Sequence, residues 1–261
     1  MRLIYLIIAV LIATPSFAAT YHIDELAGSG GDGSFATPFD ELSDLPSMST
    51  GDDVYLKCGS VFTPTARWLI NWGGTSGNRA VLGAYYDDGG AVYDTNGTDP
   101  EINGSTYTEP LDVQNQSDGG HYTGYDGLVE VSSGNDYVTI ENIKITEAGG
   151  HGLKILGDGT VGGNVGYFIL DNVTTEDTWR AGITVESNPY NYGTIQNCEV
   201  SGAAQVFGTG GFSPWNSALN VAHSDHAYTT IKDNYVHENY GEGIDVLTFT
   251  TSDAGYVTIQ D

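Results

Sequence analysis

The stretch YDGLVEV, residues 125–131, decides the fold because it returns. It recurs as GGHGLKI from Gly149, WRAGITV from Trp179, WNSALNV from Trp215 and YGEGIDV from Tyr240. The fifth and seventh positions are apolar in every copy. A second register alternates with it: YVTIENIKI from Tyr137, YFILDNVTT from Tyr167, YGTIQNCEV from Tyr192, YTTIKDNYV from Tyr228 and YVTIQD from Tyr256. Starts of the first register lie 24, 30, 36 and 25 residues apart. The runs alternate in polarity, are rich in Val, Ile, Thr and Tyr, and are separated by Gly, Asn, Asp and Ser, which is strand and turn chemistry with no helical period. A short unit of this kind with three strands, and Asn or Asp at one bend, is a coil of a right-handed parallel β-helix. The first strand is the G-h-x-h stretch and the second is V-T-I. Asn142, Asn172, Asn197 and Asp233 form the bend, and residues 143–145 and 198–200 are third strands. Like positions then stack about 4.8 Å apart. Inward Ile, Leu and Val make apolar ladders in place of a globular core, and stacked Asn side chains bond along the axis. Greek-key spacing for a sandwich is missing, as are the helices and Leu/Asn consensus of a leucine-rich repeat.

Working outward from the repeat, the chain divides into residues 1–18, 19–124 and 125–261. The first segment has a short positive start at Arg2, an apolar run from Leu3 to Ala13, and small residues at Ser16 and Ala18, which reads as a cleaved signal peptide. The run is too short to be a spanning helix. A secreted or periplasmic protein is expected, with no membrane association after cleavage. Residues 19–124 are less regular and read as an N-terminal cap with the first irregular coils. The last segment stops at Tyr256–Asp261, midway through a coil. A solenoid needs a cap over its end, so a chain truncated at the C-terminus is expected.

Composition narrows the partners. Asp and Glu total 34 against 8 Lys and Arg, a net charge of −26, so nothing could neutralise a run of phosphates and nucleic-acid binding is excluded. Apolar residues at 39% are too many for a disordered acidic chain. The 36 glycines follow no collagen period. Cys58 and Cys198 fall several coils apart, so two free thiols are expected. A monomer is expected.

Residues 19–124 add a resemblance. Tyr21-His22-Ile23-Asp24 before Gly-rich sequence, Thr37-Pro38-Phe39, Gly51-Asp52-Asp53-Val54-Tyr55-Leu56-Lys57 with Gly59 and Phe62, and Gly74-Thr75-Ser76-Gly77-Asn78-Arg79 leading into residues 81–85 resemble the N-terminal part of secreted β-helix polysaccharide lyases of the alginate lyase and chondroitinase B type, in the pectate-lyase-like superfamily. The resemblance implies an extracellular polysaccharide as partner and an eliminase acting on an acidic, alginate-like polymer. It also implies a Lys and an Arg on the first-strand face, commonly with Ca²⁺.

The residues themselves supply candidates on that face. The sixth register position reads Glu130, Lys154, Thr184, Asn220, Asp245; lying between two inward positions it points outward, as the floor of a solvent-facing groove would. The first position reads Tyr125, Gly149, Trp179, Trp215, Tyr240, a row whose flat faces suit sugar C–H faces. Lys154 on the floor, Arg180 at its edge and His151 form the expected catalytic cluster, since a lyase must neutralise a uronate carboxylate, remove the C5 proton and protonate the leaving oxygen. Substrate contacts are expected from Glu130, Asn220, Asp245, Trp179, Trp215 and Tyr240. Glu147, Asp177 and Glu238 fall in one turn column, with Ser213 in the intervening coil, and are the candidates for Ca²⁺. The insertion from Ser201 to Pro214 reads as a substrate-shaping loop. Three alternatives stand beside the lyase. One is a non-catalytic carbohydrate-binding, adhesin or tailspike-like module. Another is a polygalacturonase-like hydrolase, suggested by Gly150-His151-Gly152 but without its aspartate pair. The third is a uronate epimerase.

Overall fold

A computed structural model describes residues 18–107, 127–156, 166–187, 192–205, 217–223, 228–248 and 256–260. The signal-peptide reading, Tyr125, Trp215 and most of the insertion before Trp215 lie outside these.

The two registers become two sides of a right-handed parallel β-helix. One sheet runs, in axial order, through Trp68–Ile70, Gly127–Val131, His151–Leu156, Ile183–Ser187, Ser217–His223 and Glu242–Thr248, every neighbouring pair parallel. The other runs through Thr20–Ile23, Asp53–Lys57, Ala80–Asp87, Val138–Thr146, Phe168–Glu176, Tyr192–Gln196, Tyr228–Lys232 and Tyr256–Gln260, also parallel. Residues 53–87 therefore build coils of the same sheet as the regular repeats. Short third strands continue this sheet around the bend: Val61–Phe62, Glu101–Asn103, Glu199–Ser201 and Tyr235–His237 pair with one another or with the ends of Val138–Thr146 and Phe168–Glu176.

The inward ladders are those the repeat specifies. Val129, Leu153, Ile183 and Leu219 follow one another along the axis, as do Val131, Ile155, Val185 and Val221, and all are fully buried. Ile140, Leu170, Ile195 and Ile231 form the facing ladder. Burying each such side chain contributes about 1.5–3 kcal/mol, which makes the stack self-supporting without layers of helix.

The bend residues adopt the left-handed conformation that Asn and Asp tolerate best: φ is 54° at Asn142, 53° at Asn172 and Asn197, and 55° at Asp233. The expected Asn ladder forms at one step, where the Asn172 amide donates to Asn142 Oδ1 at 2.8 Å. It then shifts, because the Asn197 amide donates to Asp171 at 2.7 Å. The next coil is stapled by residues the repeat did not single out. Asn234 Oδ1 accepts from the Cys198 N–H and its amide donates to the Ile195 carbonyl, while Asn239 bridges Ala203 and Val200 in the same way. Cys58 and Cys198 are both free thiols. Burial pushes the Cys198 thiol up to about 12, so it is inert at neutral pH.

Candidate active site

The sixth-position column is real and its order is as expected. Glu130 pairs with Lys154, Lys154 with Thr184, Thr184 with Asn220 and Asn220 with Asp245 across successive parallel strands. Its exposure is not as expected. Glu130, Lys154, Thr184 and Asn220 are 3%, 5%, 0% and 4% exposed, and of the five only Asp245 is partly open to water. Alternation places a side chain on the face away from the core. It does not state whether that face meets water. The column is a buried polar strip, not an open groove floor.

His151 joins the strip through a break in alternation. Strict alternation from inward Leu153 would also turn His151 inward. Instead the pairing passes from His151–Gly127 to Leu153–Val129, and again from Ser217–Glu242 to Leu219–Ile244, skipping the fourth register position. That position turns inward: Leu128 and Ala218 belong to the core. At Gly152 and Gly182 it is glycine, because an added Cβ would meet the Gly182 carbonyl at 2.7 Å in the first case and Thr175 Oγ1 at 2.3 Å in the second. The third and sixth positions thus face the same way. His151 and Lys154 converge on Glu186, with the His151 Nε2 at 3.9 Å and the Lys154 Nζ at 3.0 Å from its carboxylate oxygens.

Arg180 is 5% exposed and enters from the turn, where its backbone N–H donates to Gly150 and its carbonyl accepts from Thr178 Oγ1 and the Ala204 N–H. Burial first, then the charges of Lys154 and Arg180, hold His151 well below its ordinary 6.5. The imidazole is therefore neutral at neutral pH.

Two members of the strip were not anticipated. Arg67 lies 3.7 Å from Glu130. It precedes Trp68–Ile70, whose residues pair with Val129, Glu130 and Val131 and so form an earlier, unrecognised copy of positions five to seven. The signal was present in the apolar–x–apolar run beside a scarce cation. Glu186 is the next outward residue after Thr184 on the same strand, and extending the register by one position exposes it. A cleft of about 460 Å³ opens beside Arg67, lined also by Glu25, Asp40, Glu41, Phe62 and Trp68.

Of the aromatic row, Trp179 is half-buried and Tyr240 is 59% exposed. The Ca²⁺ candidates follow one another along the axis, Glu147 beside Asp177 and Glu238 two coils further. Glu147, Asp177 and Glu238 all occupy left-handed bends, with φ of 52°, 54° and 55°, and the coil between Asp177 and Glu238 places Gly202 in that bend, not Ser213. The column follows the bend that ends each third strand, so the insertion falls after it and does not displace it. Among the described residues no three His, Cys, Asp or Glu side chains come close enough to hold a metal.

No protein-family model matches the chain, and no curated protein matches it in sequence. Solved structures do resemble it. A GH136 lacto-N-biosidase from Eubacterium ramulus superposes with a TM-score of 0.51 at 15% identity, over 82% of this chain and 43% of that one. Pectate lyase Pel9A superposes with a TM-score of 0.51 at 16% identity, over 87% and 55%. A rhamnogalacturonan lyase gives 0.49 at 12% identity, over 92% and 65%. This chain spans less than two thirds of the length of each. The two likenesses at 0.51 agree with the fold, a parallel β-helix, and leave chemistry to the site.

Proposed function

We propose that the protein is an exported polysaccharide lyase that cleaves an acidic polymer by β-elimination, alginate being the first polymer the sequence resemblance suggests. The observation that carries this is charge placement. In a chain of net charge −26, Lys154 and Arg180, two of the eight basic residues, are buried beside a neutral histidine, and a third, Arg67, lies further along the same face. Cations so placed meet a uronate carboxylate, and burial strengthens each of their interactions.

The chemistry follows from the groups present. Arg180, whose charge acts on His151, neutralises the uronate carboxylate, which acidifies the C5 proton. His151 takes that proton, and Glu186 beside it stabilises the imidazolium that forms. The C5–H electron pair becomes the C4–C5 double bond, the C4–O bond breaks, and the Lys154 ammonium supplies the proton to the leaving oxygen. The strip meets water at Glu186 and Arg67, whose side chains are 32% and 36% exposed.

Incubation with alginate, pectate and chondroitin tests the reading. Elimination leaves unsaturated ends that absorb in the ultraviolet. No absorbance on any of the three, with intact folding, would sink the proposal. New reducing ends without absorbance would favour hydrolysis, for which Glu130 and Glu186 on either side of Lys154 supply two carboxylates. Retained binding without new ends would favour a carbohydrate-binding module.

A further inference from the structure

The strip changes character along the axis. Its N-terminal coils hold Arg67, Glu130 and Lys154, and Glu186 pairs with Lys154 from the strand that carries Thr184, with Arg180 in the turn before it. Its next two coils hold Thr184, Ser217 and Asn220, uncharged and 0%, 1% and 4% exposed. Thr184 Oγ1, Ser217 Oγ and Asn220 Oδ1 are buried without a hydrogen-bond partner. Each is a cost to the folded protein, because a buried polar group without a partner loses its hydration for nothing, and native proteins keep few of them. Three at one place, on the neighbouring strands Ile183–Ser187 and Ser217–His223 and on the same outward side as the catalytic candidates, need an explanation beyond packing.

We propose that this row is a binding subsite for an uncharged, hydroxyl-bearing sugar unit, so that the substrate carries a neutral sugar next to the uronate and is not a homopolymer of uronates. The inference rests on the lyase reading of the same strip and narrows its substrate class. Two hydroxyls and an amide oxygen can donate to and accept from sugar hydroxyls or an N-acetyl group. They offer no charge to a carboxylate, and the next coil adds Asp245, which would repel one. Thr184 lies one coil and Asn220 two coils from Lys154, about 5 and 10 Å along the axis, so Ser217 and Asn220, one coil beyond Arg180, address the unit beside the one whose carboxylate is neutralised. A site built to hydrogen-bond a ligand hydroxyl rejects a ligand that cannot supply it.

The test uses the full chain and two probes of equal length: an unsulfated chondroitin tetrasaccharide, which alternates uronate with N-acetylhexosamine, and an alginate tetrasaccharide, which is all uronate. The wild type is expected to bind the alternating probe about tenfold or more tightly over the homo-uronate. Thr184→Val, nearly isosteric, and Asn220→Leu should each weaken the alternating probe about 3- to 10-fold, the loss of one neutral hydrogen bond, and leave the homo-uronate unchanged. Thr184→Val should also raise the melting temperature by about 2–4 °C, because it removes a buried orphan. Equal or reversed preference in the wild type overturns the inference. So does a variant that melts lower with its preference intact, which would mean that an internal water completes the row. Unsaturated ends formed equally from both polymers would keep the lyase and discard the subsite, whereas absent elimination with a retained preference would do the reverse.

Discussion

The outward faces of the two sheets are built from the same repeat and finished in opposite ways. On the second sheet outward polar side chains pair with one another, and the hydroxyls left without a partner, Thr175 and Thr229, are buried. Gln196 and Asn197 donate to Asp171 at 2.6 and 2.7 Å, and Arg79 donates to Thr139 Oγ1 and to the carbonyls of Val138 and Tyr167. Tyr137, Tyr167, Tyr192 and Tyr228 stack at 4.7–5.0 Å between centroids. This face is open to water, with Tyr167 and Tyr192 44% and 41% exposed. On the first sheet the outward strip is buried, yet the row from Thr184 to Asn220 is left incomplete. A face that satisfies itself in contact with water is scaffold. A buried face that retains unsatisfied groups carries a cost that folding alone does not explain, and that is where a ligand belongs.

The largest expected effect tests whether the two faces share one foundation. Ile183 is fully buried behind the strip. Ile183→Asp should cost more than about 4 kcal/mol and should expose the Cys198 thiol on the far side to labelling in parallel with loss of the strip. Labelling that stays slow would show the two faces to be separate units.

Next is the chemistry of the strip. Lys154→Ala should lower turnover about 10²- to 10⁴-fold, as removal of a general acid does, with a stability loss too small to account for it. By contrast Asp171→Ala on the second sheet removes two donors' partner and should cost about 1–2 kcal/mol of stability with turnover unchanged. A catalytic defect from Asp171→Ala would erase the distinction between the faces.

The smallest effects are opposite in sign with pH. His151 is held low by burial and by Lys154 and Arg180. Below pH 6.5 the unfolded chain takes up a proton that the folded chain refuses, so stability through His151 falls on acidification. The acid limb of the activity profile should likewise lie below 6.5. Burial raises Asp53 to about 6. Between about pH 6 and 4 the folded chain binds a proton that the unfolded chain does not, so stability through Asp53 rises on acidification. Asp53 is partly buried, and the gain is roughly 1 kcal/mol after screening by solvent. His151→Gln should abolish the acid-side loss and Asp53→Asn the acid-side gain, both measured as melting temperature against pH.

The parallel sheets, the inward ladders and the axial order from Glu130 to Asp245 were legible in the sequence, because each depends on local alternation repeated at a regular interval. Chain order along a solenoid is also spatial order, so Lys154 could be placed beside Thr184 without coordinates. The left-handed bends at Asn142, Asn172, Asn197 and Asp233 were legible for the same reason, as a residue type tied to one backbone conformation. What only the tertiary structure decided was contact between parts of different registers. Burial of the strip, the inward turn of Gly152 that frees His151 to face Lys154, the approach of Arg67 to Glu130, and the replacement of Ser213 by Gly202 in the bend column all depend on chain elsewhere. Alternation gives a side chain its side of the sheet. Its neighbours across that side, and its access to water, are properties of the assembled coils.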